Sequence, residues 1–225
     1  CVRLSNLSIS ASNAVGAMLA DIVKAISDSQ VDFPRAKKEF NNSTPVKNKT
    51  RPEFHYGIIS CAMRNFGPEG YSPYYTELYK ALGYSAKMDV LKAGAMQMVR
   101  AAVKVRNELG IPIVGIDLAG QEDGYPPGKF KEVYAFAHQH FMHKTVHAGE
   151  AYGAESIFQA ITECYADRIG HGYYLFDENK IIDKDIKNKK QYLENLISFV
   201  ADKRTTIEVC LTSNMQTNPN IKDIK

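Results

Sequence analysis

The stretch KTVHAGE at residues 144–150 decides the fold of this chain. A short β-branched run ends at His147, and two small residues separate that histidine from Glu150. A strand that ends at His147 puts the imidazole at its tip, where it can bind a metal, and Gly149 lets the chain turn back toward the same point. A metal ligand beside a proton-transfer group is the pairing that metal-assisted hydrolysis needs. The H-x-x-E spacing alone is common by chance, so its surroundings carry the prediction.

The surrounding sequence repeats this pattern of a strand that ends in polar or small residues. Further strands are predicted at 114–120, 167–172 and 206–211, the last followed by a polar tip at 212–214. A long helix is predicted at 88–109 with Gly110 as its C-cap, and further stretches with helical spacing lie at 128–142, 155–165 and 191–200. This alternation predicts an α/β fold with a parallel sheet. In a (β/α)8 barrel of the TIM type, the chemistry occurs at the carboxyl ends of the strands. Gly120, His147, Glu150 and His171 all fall at such ends.

Four motifs in order resemble the adenosine deaminase family: DLAG at 117–120, HAGE at 147–150, RIGHG at 168–172 and EVC at 208–210. The resemblance is firm from about residue 111 to residue 214. Before that it is looser, where residues 56–64 resemble an earlier barrel strand and residues 2–5 resemble the end of the strand before it. It implies an incomplete TIM-type barrel with about six of eight βα units, and a single partial deaminase domain over residues 1–225.

The resemblance also implies roles for the strand-end residues. His147 is expected to be a zinc ligand, Glu150 to protonate the purine ring nitrogen beside the attacked carbon, and His171 to orient the attacking oxygen. The backbone N–H of Gly120 is expected to approach the purine edge because no side chain intervenes. For Asp117 the structural interpretation is kept, in which a strand-end aspartate only orients neighbouring backbone. The implied reaction is zinc-dependent hydrolytic deamination of adenosine or deoxyadenosine, giving inosine from adenosine, and ammonia, in purine salvage.

Members of the family also carry an H-x-H zinc pair on the first strand and two aspartates at the end of the last. No H-x-H precedes Cys1, and the chain ends at Lys225 before any Asp-Asp. We therefore expect an internal fragment of a longer enzyme, with one zinc ion (Zn2+) held mostly by ligands outside this chain. Residues 1–225 alone are expected to be inactive. His138 and His140 form an H-x-H, but with His143 they are predicted at the opposite face of the barrel, because they end the helix before the His147 strand.

Two other interpretations remain open. One is a sibling enzyme that acts on adenine or on an adenine nucleotide. A nucleotide-specific enzyme should carry a basic cluster near the strand tips, and only Arg168 is predicted there. The other is a catalytically inactive relative with a binding or signalling role. The presence of both Glu150 and His171 argues against it.

Composition favours no macromolecular partner, and the family resemblance implies a small purine nucleoside as the substrate. The chain is 44% hydrophobic and 24% charged, with a net charge of +3, which favours neither a nucleic acid nor a membrane as partner. The cysteines at positions 1, 61, 164 and 210 include no C-x-x-C pair. This excludes the zinc deaminases of nucleic-acid bases, which carry H-x-E and P-C-x-x-C. The expected location is cytoplasmic, with a secreted or lysosomal one left open because the chain begins at Cys1, and the oligomeric state is open.

Overall fold

Strands and helices alternate along the chain as the sequence predicts. The computed structural model describes residues 57–69 and 73–217. Its strands are β1 (Ile58–Met63), β2 (Ile113–Ala119), β3 (His143–Ala148), β4 (Arg168–His171) and β5 (Thr206–Glu208). Its α-helices are α1 (Pro73–Ala81), α2 (Lys87–Leu109), α3 (Lys131–Gln139), α4 (Ala154–Thr162), α5 (Lys189–Asp202) and α6 (Leu211–Thr217). Short 3-10 turns lie at Pro127–Phe130 and Glu178–Lys180.

The sheet has its five described strands in sequential order, β1-β2-β3-β4-β5, and every neighbouring pair is parallel. Each strand therefore lies beside the previous one and runs the same way, so all the carboxyl ends lie along one edge. This is the arrangement of consecutive βα units in a TIM-type barrel. The predicted α/β fold class, an incomplete barrel of this type, is confirmed. The further strand predicted at residues 2–5 lies outside the described residues.

Helix α2 shows how the sequence sets the length of an element. Its buried residues Val90, Leu91, Val99 and Ala102 recur at helical spacing, which gives one apolar stripe along 23 residues. Gly110 then adopts φ 63°, the left-handed conformation that ends many helices. The apolar stripe packs against β1, β2 and α3. The predicted helix and its glycine C-cap are both present.

The core lies between the sheet and its helices. Strand side chains that point toward the helices are at most 1% exposed and pack with apolar helix residues; they include Ile116, Leu118, Val146 and Ile169. The opposite face of the sheet carries polar side chains instead. There, Glu208 accepts hydrogen bonds from the Thr145 hydroxyl and the Arg168 guanidinium. The two faces thus separate an apolar core from the inside of the barrel arc.

The structure corrects one placement made from sequence. Arg168 is the first residue of β4, and it lies at the amino end of the strand rather than near its tip. The motif RIGHG contains the whole of β4, which has four residues. The amino and carboxyl ends of this strand are therefore only three positions apart in sequence. The basic residue predicted near the strand tips is therefore at the wrong end of the sheet, where it pairs with Glu208.

Two element boundaries also differ from prediction. Strand β5 ends at Glu208 rather than at Leu211, and the predicted strand tip at 212–214 lies in α6. Val209 and Leu211 are 67% and 47% exposed, so extending the strand would gain little burial. The helix predicted at 128–142 begins as a 3-10 turn and ends at Gln139. Within residues 57–69 and 73–217, no helix combines the length and apolar composition that a membrane crossing requires.

Candidate active site

A cleft of about 880 Å³ opens at the carboxyl edge of the sheet. The four residues predicted for the site all line it, since Gly120, His147, Glu150 and His171 follow or end β2, β3 and β4. The predicted convergence of strand tips is therefore present in the structure. The other lining residues follow the strands in sequence; among them are Asp123 and Tyr174, Lys180 from a 3-10 turn and Ser213 from α6.

His147 is held by a buried carboxylate. Its Nδ1 lies 3.0 Å from Oδ1 of Asp117, and the Asp117 side chain is 4% exposed. Burial acts to lower the pKa of His147, but the hydrogen bond and negative charge of Asp117 outweigh it, so the pKa is raised from its usual value. Asp117 also accepts the N–H of Leu118, as the structural interpretation predicts. It does more than orient backbone, however, because it fixes the ring of His147.

Glu150 and His171 face each other across the cleft. Oε2 of Glu150 lies 3.6 Å from Nε2 of His171. The other ring nitrogen of His171, Nδ1, lies 2.6 Å from Oδ1 of Asn214 on α6. The ring centroids of His147 and His171 are 5.2 Å apart. Two imidazoles and one carboxylate are thus gathered within the reach of a single small substrate.

Backbone conformation at the strand tips produces this convergence. His171 adopts φ 71°, a left-handed conformation that is uncommon outside glycine and that costs roughly 1 kcal/mol. Gly149 adopts φ 77°, and a Cβ built there would lie 2.8 Å from Cδ1 of Ile157. Gly120 adopts φ 91°, and a Cβ there would lie 3.1 Å from Cε of Met63. Glycine is therefore needed for the turns after β2 and β3, where any side chain would be strained or would clash.

The described residues fit a zinc ion only as part of a larger ligand set. Nδ1 of His147 makes a hydrogen bond with the Asp117 carboxylate, and Nε2 is left for a metal. This is the usual arrangement of a metal-binding histidine. Among residues 57–69 and 73–217, no group of three His, Cys, Asp or Glu side chains could hold a metal ion. The described part of the chain thus offers His147 as one ligand.

The histidines dismissed from the sequence lie at the opposite edge of the sheet. His143 is the first residue of β3, and its side chain is 82% exposed. Nδ1 of His140 lies 2.8 Å from the carbonyl oxygen of Phe136, and His138 stacks on Tyr165. These side chains have local partners and do not converge on a common point.

Sequence reasoning missed Arg64, which lies beneath the site. This side chain is completely buried just after β1. Nη2 donates to the carbonyls of Leu118 (3.2 Å) and His147, and Nη1 donates to that of Tyr125 (2.9 Å). Burial lowers the pKa of Arg64, and the charge of Glu122 opposes this. Arg64 thus ties the carboxyl ends of β1, β2 and β3 together. No local sequence pattern marks it, because all three partners are distant in sequence.

Two further residues of the cleft were also missed. Lys180 donates from Nζ to the carbonyl of Ala151 at 3.0 Å, and its ammonium lies 4.2 Å from the centre of the Tyr174 ring. Glu122 lies in the loop after β2 and is 2% exposed. A signal existed for Glu122, since loops at the carboxyl ends of barrel strands carry function and this acidic residue follows Gly120 by two positions.

Comparison with known proteins identifies the family. The adenosine deaminase family model matches residues 73–223. Adenosine deaminase 1 of Streptomyces coelicolor is 40% identical over 126 residues, which cover 56% of this chain and 30% of that protein. The adenosine deaminase of Mycobacterium ulcerans is 36% identical over 126 residues, with 56% and 33% covered. The matched part of the chain spans about a third of the length of these relatives.

Solved structures of deaminases are also similar to the chain. An Arabidopsis N6-mAMP deaminase is 27% identical with a TM-score of 0.45, and the match covers 59% of this chain and 33% of that protein. An adenine deaminase from Arthrobacter aurescens is 18% identical with a TM-score of 0.45, and the match covers 92% of this chain and 43% of that protein. Because the family model matches well over half of the residues, the chain belongs to the adenosine deaminase family.

Proposed function

We propose that this protein is a zinc-dependent hydrolase that converts adenosine or deoxyadenosine and water into the 6-oxopurine nucleoside and ammonia, in cytoplasmic purine salvage. One observation carries the proposal. Gly120, His147, Glu150 and His171 come from the carboxyl ends of β2, β3 and β4, and they line one cleft whose size suits a small ligand. Family membership supplies the reaction class, and the cleft supplies the groups that this reaction needs.

His147 would provide one ligand to the zinc ion through Nε2, with Asp117 holding its ring in place. When bound, the zinc ion lowers the pKa of a coordinated water toward neutrality, which makes a nucleophile available at physiological pH. The buried Asp117 carboxylate lies against Nδ1 of His147 and would therefore leave Nε2 for the metal.

Glu150 and His171 would carry the proton and orient the nucleophile. Attack at purine C6 breaks the ring C=N double bond and leaves negative charge on N1, which must gain a proton. Glu150 is 23% exposed and can deliver that proton from a partly dry environment. His171 is 4% exposed and lies 3.6 Å from Glu150, so it can hold the attacking oxygen and stabilise its charge. The proton of the added hydroxyl then passes to the exocyclic amino group, the bond between C6 and that group breaks, and ammonia leaves as the C6=O bond forms.

Gly120 would bind the edge of the purine. Its φ of 91° and its lack of a side chain leave the backbone at the wall of the cleft accessible. A backbone N–H placed there can donate to a ring nitrogen without moving any side chain. Such a contact favours a purine over a smaller ring because it holds the far side of the bicyclic base.

A second candidate is deamination of an adenine nucleotide. Lys180 brings a positive charge to the cleft wall, and within residues 57–69 and 73–217 its ammonium contacts an uncharged carbonyl and an aromatic ring. An ammonium in this position can bind a phosphate without first breaking an ion pair. A single lysine is weaker support than a basic cluster, so the nucleoside is the preferred substrate.

The test is a substrate comparison with the protein at its natural length. Ammonia release should be measured with adenosine, deoxyadenosine, adenine and AMP, and product identity should be confirmed by chromatography. We expect the highest kcat/KM with adenosine or deoxyadenosine. A higher value with AMP that falls in Lys180→Met would favour the nucleotide enzyme. Zinc-loaded protein with no turnover of any of these substrates would contradict the proposal and favour an inactive binding relative.

Residues 1–225 expressed by themselves provide a second test. Their described part offers His147 and no complete ligand group, and catalytic zinc sites generally use three protein ligands. We therefore expect this chain alone to bind zinc weakly and to release no ammonia from adenosine. Stoichiometric zinc with turnover would mean that the His138–His143 region supplies replacement ligands.

A further inference from the structure

Glu122 is a buried carboxylate that receives an unusual number of hydrogen bonds. Oε1 accepts the N–H of Gly149 at 3.0 Å and the hydroxyl of Ser156. Oε2 accepts three successive backbone N–H groups, those of residues 150, 151 and 152, at 2.9, 2.6 and 3.1 Å. One side chain from the loop after β2 therefore binds the entire turn that joins β3 to α4.

This arrangement satisfies a charge that would otherwise be costly. A carboxylate that is 2% exposed must be compensated by donors, because burial of an ionised group without partners is strongly unfavourable. The donors that reach Glu122 in the described part of the chain are four amides and a hydroxyl, none of them a charged side chain. Its position before the first turn of α4 is also favourable for a negative charge.

The turn that Glu122 holds is the one that carries Glu150. The backbone N–H of Glu150 is itself one of the donors, and its neighbours on both sides are bound to the same carboxylate. The side chain of Glu150 then begins from a fixed backbone and reaches to 3.6 Å from His171. Without the shared acceptor, four N–H groups would need other partners. Among the described residues, the Tyr152 hydroxyl, which accepts the N–H of Gly124, would be left to hold the turn to the β2 loop.

We propose that Glu122 is a positioning residue that fixes the turn at residues 149–152 and so aligns Glu150 for proton transfer to the substrate. This inference rests on the proposed role of Glu150. A direct chemical role for Glu122 is disfavoured by the same geometry, because both oxygens are already occupied by donors of the turn. Glu122 borders the cleft, yet it acts on the reaction through the backbone of another residue.

The test is Glu122→Gln in the zinc-loaded protein at its natural length. A glutamine keeps the size of the side chain but turns one acceptor into a donor, so at least one N–H of the turn loses its partner. We expect kcat to fall about 10–100-fold, because small misplacements of a reacting group cost up to about 10²-fold, with KM changed by less than about threefold. The pH–rate profile should also shift, since the altered turn changes the contact between Glu150 and His171.

Amide hydrogen exchange gives a readout that needs no activity. Exchange at residues 149–152 should be slow in the parent protein and clearly faster in Glu122→Gln. If Glu122→Gln fails to fold, Glu122→Asp replaces it. Aspartate keeps the charge but is one methylene shorter and cannot reach all four amides, so we expect a smaller loss of kcat in the same direction.

The chain provides a matched control in Glu155. Its carboxylate also accepts backbone N–H groups, from Ile182 and Asp183, but it holds a loop that does not include Glu150. Glu155→Gln makes the same chemical change and should speed exchange only near residues 182 and 183. Its kcat and pH–rate profile should match those of the parent protein.

The possible results distinguish failure of the Glu122 positioning role from failure of the proposed deaminase function. Parent-like kcat, pH profile and exchange in folded Glu122→Gln would overturn the inference. A lower thermal stability with unchanged kcat per folded molecule would also overturn it, because Glu122 would then be only a structural cap. If the parent protein deaminates no purine, the proposed function fails. Exchange at residues 149–152 would still show whether Glu122 holds the turn.

Discussion

The two edges of the sheet carry the same residue types and differ in what surrounds them. At the carboxyl edge, His147 and Asp117 are 3.0 Å apart, and their side chains are 26% and 4% exposed. At the amino edge, His143 and Asp167 are 3.6 Å apart, and their side chains are 82% and 45% exposed. An exposed pair of this kind contributes little to stability or binding. A histidine beside a carboxylate is therefore informative only where it is buried and where other strand ends converge on it.

The two edges of the sheet also differ in whether their side chains converge on one point. At the carboxyl edge, the tips of β2, β3 and β4 bring Asp117, His147 and His171 into one connected set with Glu150. At the amino edge, His138 and His140 are satisfied within α3 or against a neighbouring aromatic ring. The amino edge holds more histidines, but each contacts its own surroundings. Matched substitutions at the two edges can therefore separate a functional site from a histidine-rich surface.

The largest contrast is expected between His147→Ala and His143→Ala. His147→Ala removes the one zinc ligand that we propose among the described residues, so the full-length protein should lose its zinc and with it all measurable deamination. His143→Ala should retain one zinc per chain. Metal analysis after dialysis, together with ammonia release, measures both. Zinc retained by His147→Ala and lost from His143→Ala would reverse the assignment of the two edges.

The next largest effect is expected for His171→Ala. This histidine is proposed to orient the nucleophile without binding the metal, so zinc should stay while kcat falls about 10²–10³-fold. His138→Ala is the control, because its ring stacks on Tyr165 away from the cleft. Steady-state kinetics with zinc quantified in the same sample measures the effect. Loss of zinc from His171→Ala would show that this residue is a ligand and that the roles of the two cleft histidines are wrong.

A smaller effect is expected for Asp117→Asn. The amide keeps the shape and one acceptor but removes the charge that stabilises the His147 ring, so zinc affinity should fall about 10–100-fold. Asp167→Asn makes the same change beside His143 and should leave zinc affinity as it is in the parent protein. Competition with a chelator of known affinity compares the three proteins. Equal zinc affinity in all three would mean that Asp117 serves only its neighbouring backbone.

The smallest effect is expected from His143→Ala itself, on stability and rate. Because its side chain is 82% exposed and its partner is half-exposed, the free energy of unfolding should change by no more than about 0.5 kcal/mol. The kcat value should stay within about twofold of the parent value. Thermal unfolding and steady-state kinetics check this. A large loss of activity would give the amino edge a function that its geometry does not suggest.

The sequence predicted the features that depend on local patterns. The apolar spacing of α2, its end at Gly110 and the strand before His147 are encoded within single segments, and all three are present. Family motifs at the ends of β2, β3 and β4 then located the cleft, because parallel strands bring their carboxyl ends to one edge. The cleft residues Gly120, His147, Glu150 and His171 could thus be predicted from the sequence alone.

The remainder depends on contacts between distant segments. Glu122 binds residues 27 to 34 positions away, and Arg64 binds the His147 carbonyl 83 positions away, so no local pattern predicts these contacts. Arg168 was placed at the wrong edge because β4 is only four residues long. Strand β5 was predicted too long because an apolar run at 209–211 stays largely exposed in the structure. Composition indicates which residues favour a strand, but burial decides where the strand ends.

Glu150→Gln tests the central claim most directly, because it changes one group of the cleft and leaves the expected metal ligand in place. In the protein at its natural length, ammonia release from adenosine and zinc per chain should be measured side by side for parent and variant. We expect unchanged zinc and a kcat lowered about 10²–10⁴-fold, the usual contribution of a proton-transfer group. Near-parent turnover by zinc-loaded Glu150→Gln would show that Glu150 does not transfer the proton.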